Sequence, residues 1–246
     1  MKIFAQNELA FDEKLPGNRS FSFVCWSRLE SRQTFDEVFD KPCSQQAEEE
    51  LGELDCVEHP NLVKMHRLVH LPDSADVVVQ RVRKQRLSER LYQLQSPPMN
   101  LRLDWIRALI AAMTALHEKH IVHGNLTPEN VLFDEAQPDV PTITDYGMTR
   151  FYERHVPGWT LNERYTAPEV VSSDLCSVES DVFSLGIVIW QILTLQRLPD
   201  GSLPNLTAIG DTEKRAIIAR CLHYRPWDRP ELREIEAAFA KKCYCE

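Results

Sequence analysis

The sequence predicts an α+β protein, with a small strand-rich part at the N-terminus and a mainly helical remainder. Residues 21–29 are rich in aromatic and β-branched side chains, and two short apolar runs follow before residue 80, a pattern that favours strands. Further along the chain, apolar residues recur at the spacing of a helix face. The predicted strands are 21–29, 63–68 and 77–79, and the predicted helices are 46–57, 87–94, 103–119, 182–195, 211–221 and 230–241.

The composition excludes several classes of function. The 246 residues are 43% hydrophobic and 26% charged, as in soluble globular proteins. The net charge of −9 argues against a nucleic-acid-binding surface. No apolar run is long enough to span a bilayer, and the N-terminal residues lack the apolar core of a signal peptide. Seven cysteines without Cys-x-x-Cys spacing favour reduced thiols, and hence a cytoplasmic location. Cys243 and Cys245 fit a prenylation signal poorly because the last residue is Glu246.

Polar residues interrupt the middle of the chain at the ends of apolar elements. Residues 121–133 read I-V-H-G-N-L-T-P-E-N-V-L-F, and residues 142–147 read T-I-T-D-Y-G. The run 131–133 has the length of a buried strand, and 142–144 leads into the second polar turn. Binding and catalytic residues are commonly carried by such loops, so this stretch is the candidate functional site.

These residues resemble the catalytic loop of protein kinases. His123, Asn125 and Asn130 fall at the His, Asp and final Asn of the family motif H-R-D-x-x-x-x-N. Asp-Tyr-Gly at 145–147 corresponds to D-F-G, and Ala-Pro-Glu at 167–169 corresponds to A-P-E. The motifs occur in the family's order and spacing, so the chain resembles the protein kinase family over most of its length.

The resemblance implies a bilobal protein-kinase-like fold in a single domain. The expected boundaries are an N-lobe at 1–79, a hinge at 80–84 and a C-lobe at 85–246. The glycine-rich loop that cradles phosphates in the family is absent, because Gly17 is the one glycine among the first 51 residues.

The resemblance also implies where ATP and Mg²⁺ would bind, if weakly. Asp145 and Asn130 match the metal-side residues of the family. No lysine occurs between Lys14 and Lys41, and Lys41 lies too close to Glu50 to be the strand lysine. The other expected nucleotide-side positions are Arg28 in place of that lysine, Glu50 on the helix, Val79 as gatekeeper, and Leu132.

Trp26 precedes Arg28 by two residues on the same predicted strand. It either narrows the nucleotide pocket or is an ordinary core or surface residue. The wide, planar Arg28 guanidinium does not simply replace a compact ammonium group.

At three positions of the catalytic loop, this sequence lacks the ionisable or charged residue that the family has there. Asn125 replaces the aspartate that accepts the substrate's proton, and a missing base costs roughly 10² to 10⁴ in rate. Thr127 replaces the lysine that faces the γ-phosphate in serine/threonine kinases, so charge stabilisation also falls. Gly124 replaces the arginine that binds a phosphorylated activation loop. Possible phosphoacceptors in that loop are Thr149, Tyr152, Thr160 and Tyr165, although surface hydroxyls are common in loops.

The positions that hold the family's fold together are present. The expected stack of core side chains, the regulatory spine, is Leu54, Met65, His123 and Tyr146, with Asp181 beneath it. Glu169 of A-P-E is expected to form a buried ion pair with Arg229. The pattern therefore keeps structural residues and lacks chemical ones.

This combination predicts a pseudokinase that acts as a scaffold or allosteric regulator, with little or no phosphotransfer. Its expected partners are other proteins, such as an active kinase or another signalling enzyme, and not nucleic acids or a membrane. His-Gly-Asn loops also occur in the kinase-homology domains of membrane guanylyl cyclases and in Janus-kinase pseudokinase domains. Two alternatives are a weak or atypical ATP-dependent serine/threonine or tyrosine kinase, and an ATP-binding sensor without turnover.

Overall fold

A computed structural model describes most of the chain beyond residue 84 and selected segments before it. The described backbone comprises residues 9–14, 22–27, 32–39, 54, 57–63, 65–70, 76–81, 85–93, 95–134, 136–149, 153, 160–173, 175–199 and 201–240. For the strands before residue 82, the description covers the backbone alone.

The N-terminal part is an antiparallel sheet. Its strands are β1 (Leu9–Lys14), β2 (Ser22–Ser27), β3 (Arg32–Phe39), β4 (Met65–His70) and β5 (Asp76–Arg81). Their spatial order is β1-β2-β3-β5-β4, so β3 lies in the middle, between β2 and β5. The strands predicted at 21–29, 63–68 and 77–79 correspond to β2, β4 and β5. The predicted hinge at 80–84 overlaps the end of β5 at Arg81, and residues 82–84 lie outside the described ranges, so the hinge stays a prediction.

Strand β3 was not predicted. In protein kinases the phosphate-binding lysine is on the third strand, and here the third strand reads R-Q-T-F-D-E-V-F. Arg28 follows the end of β2 in the chain and lies outside the described residues, so its match to the strand lysine stays a prediction. The third strand itself contains Asp36 and Glu37 and no lysine.

The rest of the chain is mainly helical around a small second sheet. The sheet consists of β6 (Gln85–Arg86), β7 (Val131–Asp134) and β8 (Gln137–Ile143), in that order. The helices are α1 (Leu87–Arg90), α2 (Met99–Glu118), α3 (Pro168–Ser173), α4 (Val178–Thr194), α5 (Thr212–Cys221) and α6 (Leu232–Phe239). Short 3₁₀ turns occur at Pro128–Asn130, Leu206–Ala208 and Pro226–Asp228.

Helix α4 is the centre of this part. Nearly every residue from Ser180 to Leu193 is buried, which explains its almost uninterrupted apolar sequence. Ser177 caps the N-terminus by accepting a hydrogen bond from the Ser180 N–H. Gly186 lets α5 approach closely, because a Cβ there would lie 2.6 Å from Cys221 Cβ. The helix therefore provides a rigid base for residues that project toward the candidate site.

The segment 57–63 is hydrogen-bonded to β8. Ile143 donates its N–H to the Asn61 carbonyl, Val63 donates its N–H to the Ile143 carbonyl, and both distances are 2.8 Å. The Asn61 side chain donates to the Pro141 carbonyl, also at 2.8 Å. These contacts link the N-terminal part to the sheet from which the candidate site begins.

The predicted fold class is confirmed: a small antiparallel sheet is followed by a mainly helical remainder. Two helix starts differ from the prediction. Helix α2 begins at Met99, directly after Pro98, and α6 begins at Leu232 with Glu231 as its N-cap, so Pro230 precedes the helix. In the described part of the chain, no helix is long and apolar enough to cross a membrane.

Candidate functional site

The catalytic loop is held from below by one buried carboxylate. Asp181, near the start of α4, is 1% exposed. Its two oxygens accept the backbone N–H groups of His123 and Gly124, both at 2.8 Å. The Nε2 atom of His117 lies 2.9 Å from one of these oxygens. Charge-assisted hydrogen bonds of this kind are about twice as strong as neutral ones, so Asp181 fixes the start of the loop.

The far end of the loop is held by Asn130. A 3₁₀ turn at Pro128–Asn130 brings the Asn130 amide back toward the loop, and its Nδ2 donates to the Asn125 carbonyl at 2.8 Å. The Asn130 carbonyl accepts the Thr144 N–H at 3.0 Å. Residue 125 is thus held in position through its backbone, whatever its side chain.

Asp145 follows β8 in a constrained backbone conformation. Its φ angle is +61°, a left-handed conformation that is uncommon for residues other than glycine and clusters at functional sites. Its carboxylate accepts a hydrogen bond from the Thr144 hydroxyl at 3.4 Å, and the residue is 7% exposed. The Asp145 carboxylate and the Asn130 amide oxygen therefore lie on adjoining loops, which are joined by the Thr144–Asn130 backbone hydrogen bond.

Three of the four expected spine residues are described, and all three are buried. Tyr146 donates its hydroxyl to the Val63 carbonyl at 2.9 Å. Leu54 packs against Gly147, because a Cβ on that glycine would lie 2.5 Å from Leu54 Cδ2. His123 is fully buried. The fourth residue, Met65, lies in β4, where the description covers the backbone alone.

The environment of His123 favours the neutral form of its imidazole. Burial lowers the pKa of its imidazole, against the opposing influence of the Asp181 and Asp145 carboxylates. Its Nδ1 accepts the Asn125 N–H at 3.3 Å, which assigns the proton to Nε2. Among the described residues, Nε2 has no hydrogen-bond partner. The ring therefore fills space and carries one unsatisfied donor.

Gly124 and Thr149 form a close contact that the sequence did not predict. Gly124 has a φ angle of +77°, and a Cβ there would lie 2.5 Å from Thr149 Oγ1. Thr149 is 6% exposed and donates its hydroxyl to the His123 carbonyl at 3.4 Å. The Thr149 side chain thus occupies the space that a side chain at position 124 would need. This contact couples the catalytic loop to the start of the segment that follows Gly147.

Two of the four possible phosphoacceptors are buried. Thr149 is enclosed as described, and Tyr165 is 8% exposed. The Tyr165 hydroxyl donates to Gln191 Oε1 at 3.0 Å, and Gln191 Nε2 donates to the Tyr92 hydroxyl at 3.0 Å. Burial raises the pKa of Tyr165 beyond its ordinary value. Thr160 is exposed, and Tyr152 lies outside the described residues.

Glu169 and Arg229 form a bidentate ion pair beneath the segment 160–169. The two guanidinium nitrogens lie 2.6 and 2.7 Å from the Glu169 carboxylate. Arg229 also donates to the carbonyls of Glu179, His223 and Tyr224, and its side chain is 1% exposed. Because the acceptors lie on α3, on α4 and in the loop between α5 and α6, this arginine joins three segments.

The remaining predicted positions are placed as follows. Asn125 is half-buried, Thr127 is 3% exposed, and Leu132 lies half-buried in β7. Arg28 and Glu50 lie outside the described residues, and for Trp26 and Val79 the description covers the backbone alone. Trp26 pairs with Ala10 and Gln33 in the sheet, and Val79 pairs with Asp36.

The metal-side residues fit a hard divalent cation only in part. Asp145 supplies a carboxylate, and Asn130 directs its Nδ2 to the Asn125 carbonyl, which leaves its amide oxygen for another contact. Oxygen donors of this kind suit Mg²⁺, which usually binds one or two carboxylates together with substrate phosphates. In the part of the chain that is described, no group of three or more His, Cys, Asp or Glu side chains could hold a metal ion. A cation at this site would therefore need phosphate oxygens.

Comparison with known proteins gives a consistent result. A family model described as the protein kinase domain matches residues 30–240. The chain is 31% identical over 207 residues to ribosomal protein S6 kinase alpha-4 of Mus musculus, a match covering 79% of this chain and 26% of the relative. It is 29% identical over 183 residues to calcium/calmodulin-dependent protein kinase type IV of Homo sapiens, covering 72% of this chain and 37% of the relative. The chain thus spans about a quarter to two fifths of the length of these curated relatives.

Proposed function

This chain belongs to the protein kinase family, and from that premise we propose that it is a pseudokinase: a scaffold or allosteric regulator with little or no phosphotransfer. The observation that carries the proposal is Asn125. In the motif it falls at the position of the family's catalytic aspartate, and its backbone is held by Asn130 and by the anchored start of the loop. A neutral amide at this position cannot take up the proton of an acceptor hydroxyl, so the step that the aspartate assists has no base there.

The phosphate-binding side supports the same proposal. The third strand contains two carboxylates and no lysine, and the first 51 residues contain a single glycine. Thr127, in place of a lysine, is 3% exposed and carries no charge. Losses on both sides of a nucleotide need not add, but a single compensating residue would not restore normal turnover.

The retained structural contacts support a role that needs shape without catalysis. Asp181, Tyr146 and the Glu169–Arg229 pair hold the loop, the D-Y-G turn and the A-P-E helix in fixed positions. A rigid frame of this kind can present surfaces to another protein, and its conformation can be read by a partner enzyme. We therefore place its function in protein–protein regulation, in the cytoplasm.

A second candidate function, ATP sensing without turnover, rests on a separate observation. Asp145 and Asn130 are both 7% exposed and lie on adjoining loops, and their oxygens suit Mg²⁺ when phosphates complete its shell. The bound metal would neutralise phosphate charge; the contribution of this chain would be to hold and orient it through those two side chains. Binding would then stabilise the folded state by RT ln(1 + [L]/Kd), which rises with the ligand concentration.

Two measurements on the purified chain separate these functions. The first is thermal unfolding with and without ATP and Mg²⁺; the second is transfer of radiolabelled γ-phosphate to the chain itself or to casein. Each is made on the wild type, on Asp145→Ala, and on Glu163→Ala as a matched control that removes an exposed carboxylate.

The pseudokinase proposal predicts no transfer above the Asp145→Ala background in any of the three proteins. A melting shift with ATP and Mg²⁺ that Asp145→Ala loses and Glu163→Ala keeps would establish the sensor, without contradicting the lack of turnover. Transfer by the wild type and by Glu163→Ala, absent in Asp145→Ala, would instead establish a weak kinase and overturn the proposal.

A further inference from the structure

The loop between α5 and α6 exposes two aromatic side chains with an arginine between them. Tyr224 and Trp227 are each 76% exposed, and Arg225 is also exposed. Among the described residues, none of these three side chains has a hydrogen bond, an ion pair or a ring contact. Single exposed apolar residues are ordinary, but Trp, Tyr and Arg together are the residue types that dominate binding energy at protein interfaces.

The backbone of this loop is held in one conformation. Arg229 donates to the carbonyls of His223 and Tyr224 at 3.0 and 3.4 Å. A 3₁₀ turn spans Pro226–Asp228, and the Asp228 N–H donates to the Arg225 carbonyl at 3.2 Å. A partner would therefore meet preformed aromatic side chains on a fixed backbone, which reduces the ordering cost of binding.

Further exposed apolar side chains lie on the segments that Arg229 joins to this loop. Arg229 binds the Glu169 side chain of α3 and the Glu179 carbonyl of α4. Val171, on the same helix as Glu169, is 60% exposed, and Leu175, between α3 and α4, is 64% exposed. We call Tyr224, Arg225 and Trp227 the aromatic loop surface.

Arg225 is the uncompensated charge of this surface. The neighbouring charged groups of the described chain are paired with one another: Arg229 with Glu169, Arg220 with Glu234, Arg233 with Glu231, and His223 with Asp228. An unpaired guanidinium in the same loop as two exposed aromatic residues favours a carboxylate, which it can bind through two parallel hydrogen bonds.

We propose that the aromatic loop surface binds a segment of another protein that carries an acidic side chain next to proline or other apolar residues. The carboxylate pairs with Arg225, and the apolar residues pack on Tyr224 and Trp227, as extended proline-containing peptides pack on exposed aromatic residues elsewhere. This surface lies on the helical part and includes no residue of the catalytic loop. The proposal therefore holds whether or not the chain transfers phosphate.

The test is a selection of random 12-residue peptides displayed on phage, with the folded chain as bait, followed by affinity measurement of the enriched peptide by fluorescence polarisation. The proposal predicts enrichment of an acidic residue beside proline or aromatic residues. Trp227→Ala and Tyr224→Ala should each weaken binding at least about tenfold, and Arg225→Glu should weaken it by a similar factor with reduced salt dependence. The controls are Leu203→Ala, an equally exposed apolar residue on another loop, and Lys119→Glu, an exposed charge at the end of α2.

Each variant replaces an exposed side chain, and its folding is checked by circular dichroism. Binding that is weakened by the three loop variants and unaffected by the two controls supports the proposal. The proposal is wrong if no peptide is enriched, if the consensus is basic, or if the enriched peptide binds Trp227→Ala as tightly as the wild type. Sedimentation equilibrium that shows a dimer lost in Trp227→Ala would also overturn it, since the surface would then bind a second copy.

Discussion

The start of the catalytic loop and residue 125 differ in what they depend on: the start depends on backbone groups, and the family's chemistry at residue 125 depends on a side chain. At the start of the loop, Asp181 accepts the backbone N–H groups of His123 and Gly124, so these contacts survive almost any side chain there. At residue 125 the family's chemistry depends on the side chain itself, and an amide stands where a carboxylate is needed. Under the proposed function, the loop keeps its conformation and loses its reaction, because its geometry is held through the backbone whereas its chemistry depends on one side chain.

The largest expected loss of stability comes from breaking the ion pair between Glu169 and Arg229. Glu169→Ala leaves the buried Arg229 guanidinium without its carboxylate and should destabilise the chain by about 3–5 kcal/mol. Chemical denaturation measures this loss. The matched control is Arg233→Ala, which removes the exposed ion pair with Glu231 and leaves that N-cap in place, and it should cost no more than about 1 kcal/mol. Equal effects in the two variants would contradict the structural role of Glu169.

A smaller loss of stability is expected when Asp181, which holds the start of the catalytic loop, is replaced. Asp181→Asn removes the charge and one acceptor from the hydrogen bonds to His123 and Gly124, which should cost about 2–3 kcal/mol. Hydrogen exchange should show faster exchange of the amides at 123 and 124. As a control, Asp211→Asn weakens the N-cap of α5 and should affect exchange in that helix alone. Unchanged protection at 123 and 124 in Asp181→Asn would show that the loop is held by other contacts.

The contact between Gly124 and Thr149 gives a third test, with an internal control. Gly201 also has a positive φ, of 65°, but a Cβ there would meet nothing within 4 Å. Gly201→Ala should therefore cost about 1 kcal/mol from the backbone alone, whereas Gly124→Ala should cost about 2 kcal/mol because it also overlaps Thr149.

A double-mutant cycle measures that difference. Adding Thr149→Ala to Gly124→Ala should recover the extra cost of about 1 kcal/mol, since the overlapping side chain is removed. Adding Thr149→Ala to Gly201→Ala should recover nothing. Additive effects of Gly124→Ala and Thr149→Ala would show that the two residues are not coupled.

The last stability prediction concerns the pH dependence of the unfolding free energy that is due to His123. Its pKa is lowered in the folded state, so below pH 6.5 the unfolded chain binds a proton that the folded chain does not. Stability from this group is therefore complete above pH 6.5 and falls by up to about 1.4 kcal/mol per pH unit as the pH drops toward the folded-state pKa. His123→Phe should reduce this fall, whereas replacing the exposed His120 by Gln should not. Identical pH profiles for the wild type and His123→Phe would exclude the effect.

The sequence predicted the architecture and the catalytic loop well, because both depend on local patterns. Helix α4 was evident from its apolar run, and the loop from its ordered motifs. Strand β3 was missed because its sequence carries charges in place of clean alternation, and its central position depends on pairing with β5. The Gly124–Thr149 contact and the burial of Tyr165 were not predictable, since both depend on packing between residues far apart in the chain.

The central claim is that this chain keeps the kinase frame without the groups for phosphotransfer, and Asn125→Asp tests it most directly. Transfer of radiolabelled γ-phosphate is measured for this variant and for the double variant Asn125→Asp with Asp145→Ala. We predict no difference between the two, because the restored carboxylate still lacks a phosphate-binding lysine and glycine loop. Robust transfer by Asn125→Asp that the double variant loses would contradict the account, since it would show that the phosphate-binding side is intact.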